Sequence, residues 1–88
     1  MSIITAFPNL LYSEFRRAQQ EHKPMSNAHE AFANIKEHLD EFWDECKKKK
    51  IDRIDSGLLT ELVHTATTCW RAAIDLELME SDSKHFLK

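Results

Sequence analysis

Of 88 residues only one is glycine, Gly57, and the two prolines, Pro8 and Pro24, both lie in the first third of the chain. Average proteins carry about 7% glycine, so this chain lacks the residue on which tight hairpin turns and phosphate-cradling loops depend. A sheet-rich fold, a P-loop and a G-x-G-x-x-G dinucleotide fingerprint are excluded on that ground. Nothing after Pro24 interrupts a helix. The expectation is an all-α protein of one domain. Its core should be thin, because a chain of this size buries about 60–65% of the surface its unfolded form exposes.

Apolar spacing divides the chain into three helices without repeats or low-complexity linkers. The first, short helix is expected over about 9–21, with Leu10, Leu11, Phe15 and Ala18 on one side, and is stopped by His22-Lys23-Pro24. The second is expected over about 27–50. Ser26 or Asn27 caps it, Glu30 sits in its first turn, and Ala28, Phe32, Ile35, Leu39, Phe42 and Cys46 form its apolar stripe. Residues 52–57 form the connection, with Asp55 or Ser56 as the next cap. The third helix is expected over about 58–78, on the stripe Leu59, Leu62, Val63, Ala66, Cys69, Trp70, Ala73 and Ile74, followed by a frayed tail at 79–88. Two long helices with a short link should form an antiparallel hairpin. The third stripe is wider than one hairpin needs, so hairpins are expected to pair into a four-helix-type bundle in a homodimer or homotetramer; the simpler alternative is a monomeric three-helix bundle.

A net charge of −3 is the wrong sign for a protein that relies on neutralising phosphates, which makes nucleic acid an unlikely partner. No apolar run approaches the roughly 20 residues that cross a bilayer, and the N-terminus has no basic segment ahead of an apolar one. Cys46 and Cys69, without CxxC spacing, read as reduced core residues of a cytoplasmic protein.

With Ile35 turned to the core, Asn34, His38, Glu41 and Glu45 align along one flank of the second helix, while Glu37 and Asp44 lie further round. Side chains at three- and four-residue steps converge, so this file is a candidate metal-ligand rail; a solvated charged face is the plainer reading. Glu61 and His64, followed by Thr68 and Arg71, lie largely opposite the third helix's own stripe. They are expected to meet the rail only if another subunit supplies the packing. Lys47 to Lys50 with Arg53 offer either a phosphate dock or simple complements to the helix dipole, and Arg71 either a phosphate fork or a partner for Asp75. Trp43 and Trp70 could stack a base, though packing is the commoner use. No serine or cysteine nucleophile set is discernible.

The runs Asn27-Ala28-His29-Glu30-Ala31, Ile35-Lys36-Glu37-His38-Leu39-Asp40-Glu41-Phe42-Trp43-Asp44-Glu45, Glu61-Leu62-Val63-His64-Thr65-Ala66 and Arg71-Ala72-Ala73-Ile74-Asp75-Leu76 resemble the MazG-like all-α nucleotide pyrophosphohydrolase superfamily, most closely its short phage- or prophage-type members. The resemblance covers about 27–76 and rests on short helical motifs. It implies that an E-x-x-E on one helix and an E-x-x-D on the next hold Mg²⁺ against a nucleoside triphosphate. Water then attacks the α-phosphorus, releasing pyrophosphate and a monophosphate. Carried over, the motifs read His38-x-x-Glu41, with Glu37 just before, and Glu61-x-x-His64. Two of four expected carboxylates are imidazoles, which suit Mn²⁺, Zn²⁺ or Ni²⁺ better than Mg²⁺.

The resemblance therefore implies a nucleotide or nucleotide-derived phosphate as ligand and a divalent metal, Mg²⁺ or Mn²⁺. The metal ligands are His38, Glu41, Glu61 and His64, with Glu37 or Glu45 as substitutes; Glu41 and Glu61 carry the catalysis, and Asn34, Lys47 and Arg71 contact substrate. Retention of the fold with loss of the reaction is the alternative: a binding or assembly protein that sequesters a nucleotide or engages a host protein through the hairpin surface.

Overall fold

The computed structural model describes residues 2–48 and 57–82, with the last two as backbone only. Among them there are four helices, α1 (Ile3–Glu21), α2 (Ala28–Lys47), α3 (Gly57–Asp75) and α4 (Leu78–Asp82), and no strand. The expected all-α class holds.

Local chemistry accounts for most helix ends. Asn27 caps α2 by accepting the Glu30 N–H at its Oδ1 (2.8 Å), and the Glu30 carboxylate accepts the Ser26 N–H in return (3.2 Å). Lys47 lies in the last turn of α2, where positive charge suits the dipole. The helix gives way at Lys48 rather than at residue 50. The expected caps at Asp55 and Ser56, the lysines at 49 and 50, Arg53 and the tail from residue 83 lie outside the described residues.

Two expectations about the helices are corrected. The first helix is not short. It starts at Ile3, capped by Ser2, whose Oγ accepts the Thr5 N–H (3.3 Å), and it runs through Pro8. Proline in the second turn forfeits one backbone bond, to the Ile4 carbonyl, which a 19-residue helix absorbs. The third helix ends at Asp75, not 78, because Glu77 turns into the left-handed region (φ 58°). The chain then re-forms a short helix, α4, where a frayed tail was expected.

Helices α2 and α3 form the expected antiparallel hairpin. Ala31 packs with Ala72, His38 faces His64, and Glu45 lies over Gly57. Partners thus step down α3 as they step up α2, two turns at a time. Helix α3 packs on α1 as well, whereas α1 and α2 make no packing contact with each other. The result is a trench with α3 as its floor and the other two long helices as its walls.

Aromatic stacking fixes α1 on α3: Phe15 lies 4.3 Å from Trp70, ring centre to ring centre and nearly parallel, with Tyr12 at 6.2 Å. Trp70 is thus a packing residue. At the other end Met25, Ala31 and Ala72 form a small buried cluster, backed by Ile35 and Leu76. Two hydrogen bonds tie the α1–α2 connection to α3, from the Met25 N–H to Asp75 Oδ2 (2.9 Å) and from Arg71 Nη2 to the Lys23 carbonyl (3.2 Å).

The core is as thin as its size implies, but it differs from the expected stripes. Phe32 and Leu39 of α2 and Leu59, Leu62 and Ile74 of α3 are exposed, as is Cys69; the buried floor consists of Val63, Thr67, Thr68, Arg71 and Ala72. The reason is geometric. The walls α1 and α2 cover the face of α3 that carries these residues, and the broad apolar sector on its opposite side is left facing outward. Neither cysteine is in a disulfide, and Cys69 is not a core residue. No helix among the described residues is long and apolar enough to cross a membrane.

Candidate metal centre

The middle of the α2–α3 seam is polar. Two helical turns from the Ala31–Ala72 contact, where further apolar residues would ordinarily interlock, the chain places His38 and Glu41 against Glu61 and His64. One donor atom from each of these four lies within 4.8 Å of all the others. The two pairs are mirror images in sequence, H-x-x-E rising along α2 and E-x-x-H rising along α3. Antiparallel packing sets imidazole beside imidazole (ring centres 5.5 Å apart). Within each helix, three-residue spacing brings the histidine Nδ1 to 3.8 Å from its own glutamate Oε2.

These are the four residues expected as metal ligands, but their setting corrects the expectation. Glu61 and His64 meet the rail of α2 inside one chain; no second subunit is needed to bring them there. The sequence pattern misled because it assigned the core face of α3 to its apolar stripe. In the fold, the sector bearing Glu61, His64, Thr68 and Arg71 is the one turned toward the trench.

Several atoms here are buried and lack a hydrogen-bond partner within the protein: His38 Nδ1, Glu61 Oε2 and Glu45 Oε2. Buried polar atoms without partners are costly, about 1–3 kcal/mol each. Glu61 shows the strain most clearly. Burial, and next the adjacent Glu41 carboxylate, push its carboxyl above the ordinary glutamate range; Glu45 adds to this and His64 opposes it. A divalent cation would relieve His38 and Glu61, because it takes lone pairs from imidazole and carboxylate alike and cancels the repulsion between Glu61 and Glu41. First-row cations hold such ligands at about 2.0–2.2 Å, so side-chain adjustment within the present cluster suffices. The donor set fits a metal.

The substitutes and the substrate residues separate. Glu45 stays near, with Oε1 accepting from Lys48 Nζ (2.8 Å) and the carboxylate lying against Gly57. Glu37 is exposed and lines a cavity of about 570 Å³ in the trench, together with Asn34, His38, Thr68 and Arg71. A second cavity of about 220 Å³ lies between α1 and α3 and shares His22, His38, Thr68 and Arg71 with the first; Glu14, Arg17, His64 and Thr67 complete its polar wall, with Arg17 paired to Glu14 (2.7 Å). Asn34 and Arg71 are thus beside the metal cluster. Lys47 is not: it pairs with Asp44 (3.1 Å), lies 5.8 Å above the Trp43 ring and walls neither cavity.

Arg71 is buried, with 11% of its side chain exposed. Asp75 stands 4.0 Å away, at the outer limit of an ion pair, so the expected choice between Asp75 and a phosphate leaves room for both. His22 and Thr67 were missed by the sequence reading. The hydroxyl of Thr67 is buried and without a partner in the smaller cavity. Nothing in residue spacing signals either, since both line a cavity created by the packing of α1 on α3, elements far apart in the sequence.

No family model, no curated protein and no solved structure matches this chain.

Proposed function

We propose that the protein is a metal-dependent, MazG-like nucleotide pyrophosphohydrolase of the short phage or prophage type, converting a nucleoside triphosphate to its monophosphate and pyrophosphate in the cytoplasm. The carrying observation is the convergence of His38, Glu41, Glu61 and His64 within 4.8 Å at the floor of a trench lined by Arg71 and Asn34. A bound divalent cation would polarise a phosphoryl oxygen and lower the pKa of the attacking water. The protein's own groups do the rest. His38, Glu41, Glu61 and His64 hold the cation. Glu41, the most open of them with 43% of its side chain exposed, orients the water. Arg71 and His22 take the charge of the phosphates, Arg71 as a fork. Asn34, with the larger cavity, takes the nucleoside side.

Release of pyrophosphate from a panel of nucleoside triphosphates with Zn²⁺, Co²⁺, Mn²⁺ or Mg²⁺ tests this. Activity should fall by at least about a hundredfold in Glu41→Gln and Glu61→Gln, the scale on which loss of one transition-state contact is felt. No release from any triphosphate with any of these metals would sink the reading.

A second reading, assembly, is favoured by a specific feature: Phe32, Leu39 and Trp43 on α2 and Leu62 on α3 are all exposed apolar residues. The arrangement they suit is a homodimer or homotetramer in which hairpins pair through their outer faces, leaving the trench of each chain open.

A further inference from the structure

The structure assigns the His38–Glu41–Glu61–His64 cluster to an imidazole-binding transition cation, Zn²⁺ above all, which braces α2 against α3, and not to Mg²⁺. This rests on the cluster being a metal site, as above, and adds what the metal is and what it does for the fold.

The donor set decides the class. Two imidazoles and two carboxylates complete the coordination of Zn²⁺ when all four bind, and leave a position for water when Glu41, the most open of them, lets go. Mg²⁺ by contrast seeks oxygen, keeps several waters and is held by one or two carboxylates. For such N/O sites affinity rises along the first row from Mn²⁺ to Cu²⁺ and falls back at Zn²⁺. It is therefore the four-ligand, N/O geometry and metal availability, not raw affinity, that favour Zn²⁺. Formal charge agrees. With neutral imidazoles the four ligands carry two negative charges, which one divalent ion cancels.

The position supports the brace. The four residues come from two helices, two from each, at the middle of the seam between those helices. Below this level the seam holds the small cluster of Met25, Ala31 and Ala72; above it, Glu45 lies over Gly57. No large side chain among the described residues is fully buried, so apolar packing across the hairpin is slight. Small scaffolds of this kind often gain their stability from a metal, because a site absent from the unfolded chain turns binding free energy into folding free energy. His38 Nδ1 and Glu61 Oε2, buried and without a hydrogen-bond partner in the protein, are donors that such a cross-link would use.

Thermal melting of the full chain, stripped with chelator and then titrated with Zn²⁺, Co²⁺, Mn²⁺ or Mg²⁺, tests the assignment without reference to catalysis. Equimolar Zn²⁺ should raise the melting temperature by about 10 °C or more, and millimolar Mg²⁺ should leave it unmoved. The Co²⁺ form should show the intense visible bands of four-coordinate cobalt. His38→Gln and His64→Gln should each weaken Zn²⁺ binding by more than the roughly 10–100-fold that follows loss of a mere supporting group. The double variant His38→Glu/His64→Asp supplies oxygen ligands only and should shift preference toward Mg²⁺. An equal effect of Mg²⁺ and Zn²⁺ on the natural chain overturns the proposal, as does a Zn²⁺ shift that survives both glutamine variants. Pyrophosphate release does not enter, so the brace and the hydrolytic reading stand or fall separately.

Discussion

The Glu45 carboxylate lies across the first residue of α3, its two oxygens 2.8 and 3.2 Å from the point where a Cβ on Gly57 would stand. The chain's single glycine is therefore not at a left-handed turn. It sits where a side chain from the neighbouring helix comes too close to tolerate another.

Gly57→Ala has two opposing effects. Alanine favours the helix by up to about 1 kcal/mol, while the methyl group evicts the Glu45 carboxylate, a flexible chain end that can move. The net change in stability should be within about 0.5 kcal/mol. In a Glu45→Ala background the same substitution should stabilise by about 0.5–1 kcal/mol. A double-mutant cycle by urea denaturation measures the difference, and additivity of the two changes would refute the contact.

Glu61 sets a pH dependence. Its carboxyl titrates above the ordinary range in the folded protein, so the fold favours the protonated form. The stability this gives the metal-free protein is full below the unfolded glutamate pKa and is lost as pH rises through the folded one. In chelator, the melting temperature should thus fall on going from acid toward neutrality, and Glu61→Gln should flatten that fall. A Glu61→Gln profile parallel to that of the natural chain would show that another group is responsible.

Phe15→Ala should release α1. The ring is 6% exposed and stacked on Trp70, and truncations of buried phenylalanine cost about 3–5 kcal/mol. At this shallow site the loss should fall near the lower end. Hydrogen exchange should rise across residues 3–21 first, while amides of α2, which α1 does not touch, keep their protection.

Leu39→Glu probes the outer face. The residue is 52% exposed, so within one chain the change should cost no more than about 0.5 kcal/mol. If hairpins pair there, light scattering should report a smaller particle for the variant than for the natural chain. Equal masses would remove this face from the interface.

Much of the fold was legible because it is local. The Asn27 cap, the stop at Pro24 and the helical spacing of α2 depend on neighbours within a turn or two, and three- and four-residue steps placed His38 with Glu41 and Glu61 with His64. What failed was the choice of which face each helix buries. Hydrophobicity named Leu59, Leu62 and Cys69 as the inside of α3, yet Thr67, Thr68 and Arg71 are buried instead. That choice depends on α1 and α2 flanking α3 from two sides, a long-range arrangement that periodicity does not encode. The same error hid the meeting of His38, Glu41, Glu61 and His64 within one chain. Glu77 carries no sequence mark of its left-handed turn, since glycine or asparagine usually signals one.

Because α1 leans on α3 alone, no element among the described residues crosses the trench beyond the 22–27 connection at its end. Small ions and ligands can therefore come and go without a gating motion. For such a protein, selectivity must come from charge and coordination at the floor rather than from enclosure. On the hydrolytic reading proposed above, groups of very different length projecting past the phosphates should be accepted almost equally.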